Sequence, residues 1–259
     1  MLGLILGIRV QSGRSQGRIV VRHKGNGLKN KYRLIDFFRG ISYYLSFRVI
    51  DLLYDPIRTS NIALILYTTG VFSYILATVD MYRFGIFGGN HNSHMLNSGS
   101  INFLKMFRRG WLVNSISKNQ VFISQQKKIR AIQNFKAIYA RSAGASALIL
   151  GSYLNIYILV KLASNRHRLF FNESLCISGQ NSNILSKFTN QRKAGVSRLL
   201  NIRPTVRGVA MNPIDHPHGG GEGKSSGGRH PVSPWARLTK DARRRNLKGY
   251  TTFFNVLYK

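Results

Sequence analysis

An uncharged apolar stretch at residues 62–79 is the feature that most restricts how this chain can fold. It is nearly as long as the roughly 20 residues that a helix needs to cross a bilayer. Its middle, at residues 67–70, reads Tyr-Thr-Thr-Gly, which is turn chemistry between two runs rich in β-branched and aromatic side chains. A short glycine-containing loop between such runs is typical of a β-hairpin. We therefore predict a hairpin, with a membrane helix as the alternative.

Other short apolar runs extend this β pattern along the chain. One lies at residues 31–38, and a proline-containing turn at residues 54–61 follows it, just before the hairpin. Strand, turn and hairpin in succession predict a small β-barrel. Further on, residues 152–171 form two more apolar runs around a polar turn at residues 163–166. These runs predict further strands and a second small β domain.

The chain contains one cysteine, Cys176. A single thiol excludes an intramolecular disulfide framework and a zinc site built from several cysteines. A cysteine without such a role usually behaves as a small buried hydrophobe. We therefore expect Cys176 to lie in a core.

Positive charge dominates the composition and indicates the kind of partner. Lys and Arg number 39 against 8 Asp and Glu, which gives a formal net charge of +31. This excess goes beyond what solubility needs and favours a partner with dense negative charge. Nucleic acid is the first candidate, and an anionic membrane surface is the second. The apolar run at the N-terminus is shorter than the roughly 7–15 residues of a secretory signal, so we expect a basic arm or an organellar presequence there.

Arg141 stands directly before a run of very small residues at positions 142–147. Small side chains let a phosphate backbone approach the peptide N–H groups closely, while the arginine supplies charge. The alternative interpretation is a strip of tight packing inside the protein.

From residue 191 onward the character of the sequence changes. Basic residues occur at irregular intervals among glycine, proline and small residues, with neither helical nor strand periodicity. Such a segment cannot bury enough apolar surface to fold alone. We interpret it as an extended cationic ribbon that becomes ordered against its partner.

Within this ribbon, residues 211–234 place three histidines, one aspartate and one glutamate among many glycines and prolines. His216, His218 and His230 could supply three zinc ligands, but catalytic zinc histidines usually come from rigid helices or strands. Acid–base catalysis needs a histidine held in a pocket by its neighbours, which a glycine-rich ribbon does not supply by itself. Glycines instead let phosphates contact the backbone, because they lack Cβ atoms. We interpret this stretch as an RNA-binding loop.

Residues 203–235 resemble the C-terminal signature of the L-two family of large-subunit ribosomal proteins. Three further stretches, at residues 22–37, 54–77 and 140–147, agree with the family in sequence order. The resemblance implies an all-β fold with an oligonucleotide-binding-type barrel followed by an SH3-like barrel. It also implies an N-terminal arm and a long, basic, irregular C-terminal extension. This agrees with the two small β modules and basic segments that the residues themselves predict.

The resemblance divides the chain into four segments. They are a basic N-terminal arm at residues 1–30, the oligonucleotide-binding-type barrel at 31–125, the SH3-like barrel at 126–200 and an extended rRNA-threading tail at 201–259. The part least like the family lies at residues 82–137, across the expected boundary between the barrels.

By the same resemblance, the chain is a structural constituent of the large ribosomal subunit that binds rRNA near the peptidyl transferase centre. It supports assembly, subunit association and translation; the chemistry belongs to the RNA, so the chain is not an enzyme. The implied partners are large-subunit rRNA, other large-subunit proteins and, at the intersubunit face, the small subunit, with no membrane span. No cofactor of its own is implied, and Mg²⁺ associated with the rRNA is compatible with this function.

Heavy use of Ile, Asn, Phe, Tyr and Lys resembles an AT-rich coding sequence and indicates a mitochondrial ribosome in the matrix. A plastid and a bacterial cytoplasm are the alternative locations. Two other classes of function stay open at this point: a histidine- or zinc-dependent hydrolase and a cationic membrane protein.

The expected rRNA contacts combine basic, histidine and aromatic side chains with one acid. They are Arg22, His23, Lys24, Lys31, Arg33, Arg141, Lys193, Arg198, Arg203, Arg207, Asp215, His216, His218, Lys224, Arg229, His230 and Trp235. By resemblance, His216 is the family's histidine closest to the peptidyl transferase centre. We expect it to organise rRNA by hydrogen bonding, together with Asp215 and His218, and we expect no catalytic residue and no metal ligand.

Overall fold

The computed structural model consists mainly of short strands joined by turns. It describes residues 4–9, 13–25, 27–39, 45–88, 98–117, 137–190, 192–223 and 226–240. The strands in these residues are β1 (Ile5–Arg9), β2 (Arg14–Ser15), β3 (Arg18–Ile19), β4 (Asn30–Arg33), β5 (Ser46–Leu53), β6 (Ile62–Tyr67), β7 (Phe72–Leu76), β8 (Ile86–Gly88), β9 (Ile101–Phe103), β10 (Leu112–Asn114), β11 (Ile116–Ser117), β12 (Ala137–Tyr139), β13 (Ala147–Tyr153), β14 (Tyr157–Lys161), β15 (His167–Phe171) and β16 (Leu175–Ser178). The helical elements are a short α-helix, α1 (Ala194–Leu199), and 3₁₀ helices at Leu104–Met106, Ile184–Phe188 and Gly208–Ala210. The all-β prediction is confirmed.

The chain forms two compact units. The first comprises Met1–Ser12 and Gly25–Asn201 and contains the two large sheets. The second comprises Gly13–Lys24 and Ile202–Lys259. Its described part is irregular apart from the short hairpin of β2 and β3, the 3₁₀ helix at Gly208–Ala210 and a few turns. It corresponds to the irregular basic segments predicted near both ends of the chain.

The first sheet contains the predicted hairpin. Its four antiparallel strands lie in the order β7-β6-β5-β8, and β6 pairs with β7 so that Ile62 lies opposite Leu76. The Gly70 N–H donates to the Tyr67 carbonyl at 2.9 Å, and Gly70 has a φ of 82°, which glycine adopts without strain. The hairpin prediction is confirmed. Among the described residues, no helix combines the length and apolarity needed to span a bilayer.

Strand β6 is apolar on both faces because both faces are covered. Ala63 and Ile65 belong to one buried cluster, whereas Ile62 and Leu64 belong to another, against which Ile35 packs. Successive side chains of a strand point to opposite faces. A strand buried on both sides therefore reads as a continuous apolar run. This explains why the hairpin resembles a membrane span in the sequence.

The second sheet has six antiparallel strands in the order β15-β14-β13-β10-β16-β9. β14 and β15 pair along their whole length, with Tyr157 opposite Phe171. This confirms the two strands predicted on either side of the turn at residues 163–166. Cys176 on β16 is fully buried in the core of this sheet, as predicted. Desolvation by burial raises the pKa of the Cys176 thiol well above its usual value.

The change from the first sheet to the second occurs between β8 and β9. β9 pairs with β16, and β10 pairs with both β13 and β16. The strands at residues 101–114 therefore belong to the second sheet. The sheet pairing places the transition earlier in the chain than the predicted boundary between residues 125 and 126. The sequence does not reveal this pairing because the partner strands lie far apart along the chain.

Asn181 links the second sheet to the first through a backbone bridge, and its side chain fixes the loop at residues 140–145. Its side-chain amide donates to the Ala140 carbonyl at 2.7 Å and to the Ser142 carbonyl at 3.2 Å. Its backbone N–H donates to the Ala145 carbonyl at 3.2 Å. Asn181 also forms an antiparallel bridge with Thr78, which follows the first sheet. Because Asn181 is fully buried, these bonds replace water that its amide and the partner carbonyls would otherwise bind.

The small-residue run after Arg141 packs against its neighbours. The Gly144 N–H donates to the Ser182 carbonyl at 3.1 Å, and a Cβ at Gly144 would lie 3.2 Å from the Ile184 Cα. Gly144 also has a φ of 62°, which other residues rarely adopt. Tight packing inside the protein, the alternative interpretation of this run, therefore explains why a glycine stands at position 144.

Replacing Asn181 with alanine should destabilise the protein, because a fully buried amide and its hydrogen bonds to the Ala140 and Ser142 carbonyls are lost. We expect the free energy of unfolding to fall by about 1–3 kcal/mol. Urea unfolding of the purified chain, followed by circular dichroism, measures the change. Asn190→Ala, at an exposed position, is the matched control and should alter stability by no more than about 0.5 kcal/mol. Equal stability of the two variants would show that the side-chain bonds of Asn181 do not stabilise the fold.

Candidate nucleic-acid interface

Two arginines from distant parts of the chain meet at one aromatic ring. The guanidinium carbon of Arg141 lies 4.9 Å from the centroid of the Phe37 ring. The guanidinium carbon of Arg58 lies 5.8 Å from the same centroid. Both distances permit cation–π attraction. The ring therefore gathers two cations on one patch of the first unit, and we call Arg58 and Arg141 the arginine pair.

Hydrogen bonds fix the two loops that carry the arginine pair. Asp55 is fully buried; one carboxylate oxygen binds the Arg58 Nε at 2.6 Å, and the other accepts a backbone N–H of the same turn at 3.1 Å. The Thr59 hydroxyl oxygen accepts the Ala143 N–H at 3.1 Å. That bond ties the turn of Arg58 to the loop that follows Arg141. The two cations are thus held before any partner binds.

The arginine pair carries more positive charge than its surroundings neutralise. Asp55 is ion-paired with Arg58, and among the described residues no acid is ion-paired with Arg141. A guanidinium donates to phosphate oxygens in a forked geometry, so the patch suits a phosphate. Arg58 is absent from the contacts predicted from the sequence. The sequence feature that indicates Arg58 is an aspartate three residues before it in a proline-containing turn, where the carboxylate can orient the guanidinium.

In the second unit, the N-terminal arm pairs with the start of the C-terminal extension. The Arg203 N–H donates to the His23 carbonyl at 3.0 Å, and Lys24 forms an antiparallel bridge with Ile202. Predicted contact residues that lie far apart in the sequence are thus brought together by the pairing of these two short segments. We call Arg22, His23, Lys24 and Arg203 the terminal ribbon.

An exposed aromatic ring lies beside the terminal ribbon. The guanidinium carbon of Arg22 is 4.6 Å from the centroid of the Trp235 ring, and Trp235 is 68% exposed. The Thr205 hydroxyl lies 3.2 Å from His23 Nδ1 and orients the imidazole. Exposed cations beside an exposed indole can bind a phosphate and stack on a base. The structure therefore brings five of the predicted contacts together.

His216 folds the glycine-rich loop and is itself buried, at 8% exposure. Its Nδ1 accepts the His218 N–H at 3.0 Å, and a Cβ at Gly208 would lie 2.6 Å from the imidazole. The Gly219 N–H donates to the His216 carbonyl at 2.8 Å, which turns the chain around the ring. Local hydrogen bonds at residues 208–223 thus fold part of the irregular C-terminal extension around the His216 ring.

His218 connects this loop to the segment that follows it. Its Nε2 accepts the Val232 N–H at 3.3 Å and lies 3.4 Å from the His230 carbonyl oxygen. The rings of His216 and His218 have centroids 4.8 Å apart. Within the part of the chain that the structure describes, no group of three or more His, Cys, Asp and Glu residues is placed to hold a metal ion.

The remaining predicted contacts are spread over both units. In the first unit they lie on β4 or at α1: Lys31, Arg33, Lys193 and Arg198. In the second unit they are exposed on irregular segments: Arg207, Asp215, Arg229 and His230. Lys224 lies outside the described residues. Contact of each of these side chains with RNA stays a prediction.

Two family profiles match the chain in succession. Residues 1–85 match the profile described as Ribosomal Proteins L2, RNA binding N-terminal domain. Residues 97–236 match the profile described as Ribosomal Proteins L2, C-terminal domain. The two matches together span most of the chain.

Full-length relatives agree with these profiles. Large ribosomal subunit protein uL2 of Dichelobacter nodosus (strain VCS1703A) is 43% identical over 242 residues, which cover 92% of this chain and 80% of that protein. Large ribosomal subunit protein uL2m of Reclinomonas americana is 42% identical over 248 residues, with coverages of 95% and 84%. Large ribosomal subunit protein uL2 of Hyphomonas neptunium (strain ATCC 15444) is 41% identical over 246 residues, with coverages of 95% and 83%. The chain therefore belongs to the ribosomal protein L2 family and is a structural component of the large ribosomal subunit.

Proposed function

We propose that the chain binds large-subunit rRNA through the arginine pair and the terminal ribbon, near the peptidyl transferase centre. The observation that carries this proposal is the placement of Arg58 and Arg141 on Phe37 in a chain of net charge +31. Guanidinium groups that the fold already holds lose little conformational freedom when they bind a phosphate. The RNA-binding description of the N-terminal profile supports the same function. Family membership favours it over the hydrolase and membrane-protein alternatives.

We propose that the first sheet belongs to an oligonucleotide-binding-type barrel and the second sheet to an SH3-like barrel. The two family profiles meet between residues 85 and 97. The transition between the sheets, from β8 to β9, falls in the same part of the chain. We therefore place the boundary between the barrels there, and we propose that the tail from residue 201 threads through rRNA.

The proposed partners follow from membership of the large subunit. They are the rRNA, neighbouring large-subunit proteins and, at the intersubunit face, the small subunit, so that the chain supports assembly, subunit association and translation. We propose a mitochondrial ribosome in the matrix as its location. The composition and the similarity to uL2m of Reclinomonas americana support this location. Co-sedimentation of the chain with large subunits from purified mitochondria, released only by a high-salt wash, tests both proposals.

We infer that the chain performs no chemistry and that the RNA forms the peptide bond. General acid–base catalysis requires a nitrogen held near the reacting atoms, within about 3 Å or one water away. His216 instead lies against Gly208, and its Nδ1 accepts a backbone N–H within its own loop. Its proposed role is to shape the loop that lies against rRNA. No cofactor of its own enters this proposal, and Mg²⁺ associated with the rRNA is compatible with it.

Affinity for rRNA should fall steeply with salt if phosphate contacts dominate binding. The slope of log K against log salt concentration is expected to be about −0.7 to −0.9 per phosphate contacted. Arg141→Ala should reduce the magnitude of this slope by roughly one contact. Filter binding of the purified chain to a transcript of the large-subunit rRNA, across a salt series, measures the slope.

The control for this experiment is Arg83→Ala. Arg83 is an arginine of the first unit that belongs neither to the arginine pair nor to the terminal ribbon, and its Nε binds Asp51 at 2.9 Å. This variant should keep the slope of the unmodified chain. A slope that does not change in Arg141→Ala, or an affinity independent of salt, would contradict the proposed arginine pair contact.

His216→Ala should weaken assembly without changing the chemistry of translation. Loss of the ring removes the acceptor for the His218 N–H and opens a space beside Gly208, so the loop should lose its fixed shape. We expect fewer large subunits that contain the variant, measured by sucrose-gradient sedimentation. Subunits that do assemble should form peptide bonds at a nearly normal rate and with an unaltered pH profile.

The control is His216→Asn, whose side-chain oxygen can accept the same N–H and should restore much of the assembly. A residue that acts as a general acid or base typically contributes about 10²–10⁴-fold to the rate. A rate loss of that size in fully assembled His216→Ala subunits would make the residue catalytic and contradict our inference.

A further inference from the structure

A cleft of about 490 Å³ lies on the second sheet, at the hairpin formed by β13 and β14. Gly151 and Tyr157 line it from the two strands, and Lys105 and Arg109 line it from the 3₁₀ helix after β9 and the loop that follows. None of the lining residues belongs to the arginine pair or to the terminal ribbon. Its volume lies within the range of about 300–1,000 Å³ that is typical of small-molecule sites.

The lining of this cleft combines cations with an aromatic ring. Lys105 and Arg109 are both exposed, and the described residues that line the cleft include no acidic residue. The Tyr157 ring is supported by the ring of Phe171 on the neighbouring strand, with ring centroids 4.8 Å apart and an interplanar angle of 35°. The Lys105 ammonium lies 5.5 Å from the Phe103 ring centroid. The cleft is therefore positive on one side and presents a supported aromatic ring on another.

Gly151 keeps the cleft open. The pairing of β13 with β14 is irregular between Ile149 and Gly151, as expected for a β-bulge. A Cβ added at Gly151 meets no atom within 4 Å. Because the backbone and the packing both tolerate a side chain at Gly151, the glycine is not needed for the turn of the chain. Because Gly151 has no side chain, it leaves space in the cleft.

We propose that this cleft binds one unpaired nucleotide of RNA, with the base against Tyr157 and the phosphate between Lys105 and Arg109. Base–aromatic stacking and phosphate contacts to cations are the two interactions by which proteins hold single-stranded RNA. Ser152 and Asn155, which also line the cleft, carry groups that can form hydrogen bonds with a base edge. The proposal rests on the proposed rRNA-binding function and adds a separate site on the second sheet.

An acidic peptide from a neighbouring protein is the competing occupant. Such a peptide would match the two cations but has no planar group to lie against the supported tyrosine. A nucleotide carries a flat base and a phosphate in one unit, so it matches both sides of the cleft. The lining therefore favours the nucleotide.

Photochemical crosslinking tests the proposal with the full chain. A transcript of the large-subunit rRNA containing 4-thiouridine is bound to the protein and irradiated, and crosslinked peptides are identified by mass spectrometry. We expect a crosslink in the peptide that contains Tyr157. Gly151→Leu fills the cleft and should abolish that crosslink. It should also lower the affinity by about fivefold or more, the loss expected for one stacked base.

Two further variants keep the interpretation clear. Ser164→Leu adds the same side chain in the exposed turn between β14 and β15, and it should leave the crosslink and the affinity unchanged. Arg109→Gln removes one cation at an exposed position without filling the cleft, and it should weaken the crosslink. Thermal unfolding of each variant near that of the unmodified chain shows that the fold is intact.

The outcomes separate this site from the proposed function. Crosslinks to peptides near Arg58 and Arg141, with none at Tyr157, would overturn the cleft proposal and leave the rRNA-binding function standing. A crosslink at Tyr157 that persists in Gly151→Leu would also overturn it. In intact large subunits, a lysine-reactive reagent that joins Lys105 to another ribosomal protein, without a nucleotide crosslink at Tyr157, would assign the cleft to a peptide. Failure of the chain to bind the transcript at all would remove the proposed function itself.

Discussion

Unneutralised positive charge is the constraint on which the rest of the structure depends. With 39 basic against 8 acidic residues, most cations have no acid to pair with, and their mutual repulsion opposes a compact fold. The ion pairs in the described residues, Arg58 with Asp55 and Arg83 with Asp51, use two of those acids. Apolar cores and backbone hydrogen bonds must therefore hold the sheets. In the proposed function, phosphates of the rRNA supply the negative charge that the protein lacks.

The excess of positive charge affects the two units differently, because they differ in how much apolar surface they bury. The three buried apolar clusters all lie in the first unit. In the described part of the second unit, the buried apolar side chain is Val232, and His216 is the buried polar one. A unit with so little apolar burial gains most of its order from local hydrogen bonds and from its partner. The first unit thus presents cations that are already positioned, whereas we propose that rRNA completes the order of the terminal ribbon and of the loop at residues 208–223.

Local patterns predicted much of the fold, and distant pairings account for what they missed. The hairpin around Gly70 and the burial of Cys176 follow from short stretches that carry their own turn and apolar signals. The pairing of β9 and β10 with β13 and β16 joins strands with no shared local signal, so local patterns do not reveal where one sheet ends and the next begins. Among the site residues, Arg58 was missed because its contact with Phe37 is visible only in three dimensions, although the spacing of Asp55 and Arg58 is a local signal. The inward packing of His216 depends in the same way on Gly208.

The most direct test of this account is an experimental structure of the chain inside its large ribosomal subunit, at a resolution that shows side chains and phosphates. The account predicts that the guanidinium groups of Arg58 and Arg141 each lie at hydrogen-bond distance, about 2.7–2.9 Å, from rRNA phosphate oxygens, with Phe37 still between their loops. Guanidinium groups that face solvent or a neighbouring protein would contradict the central claim that the fold assembles this pair to hold RNA.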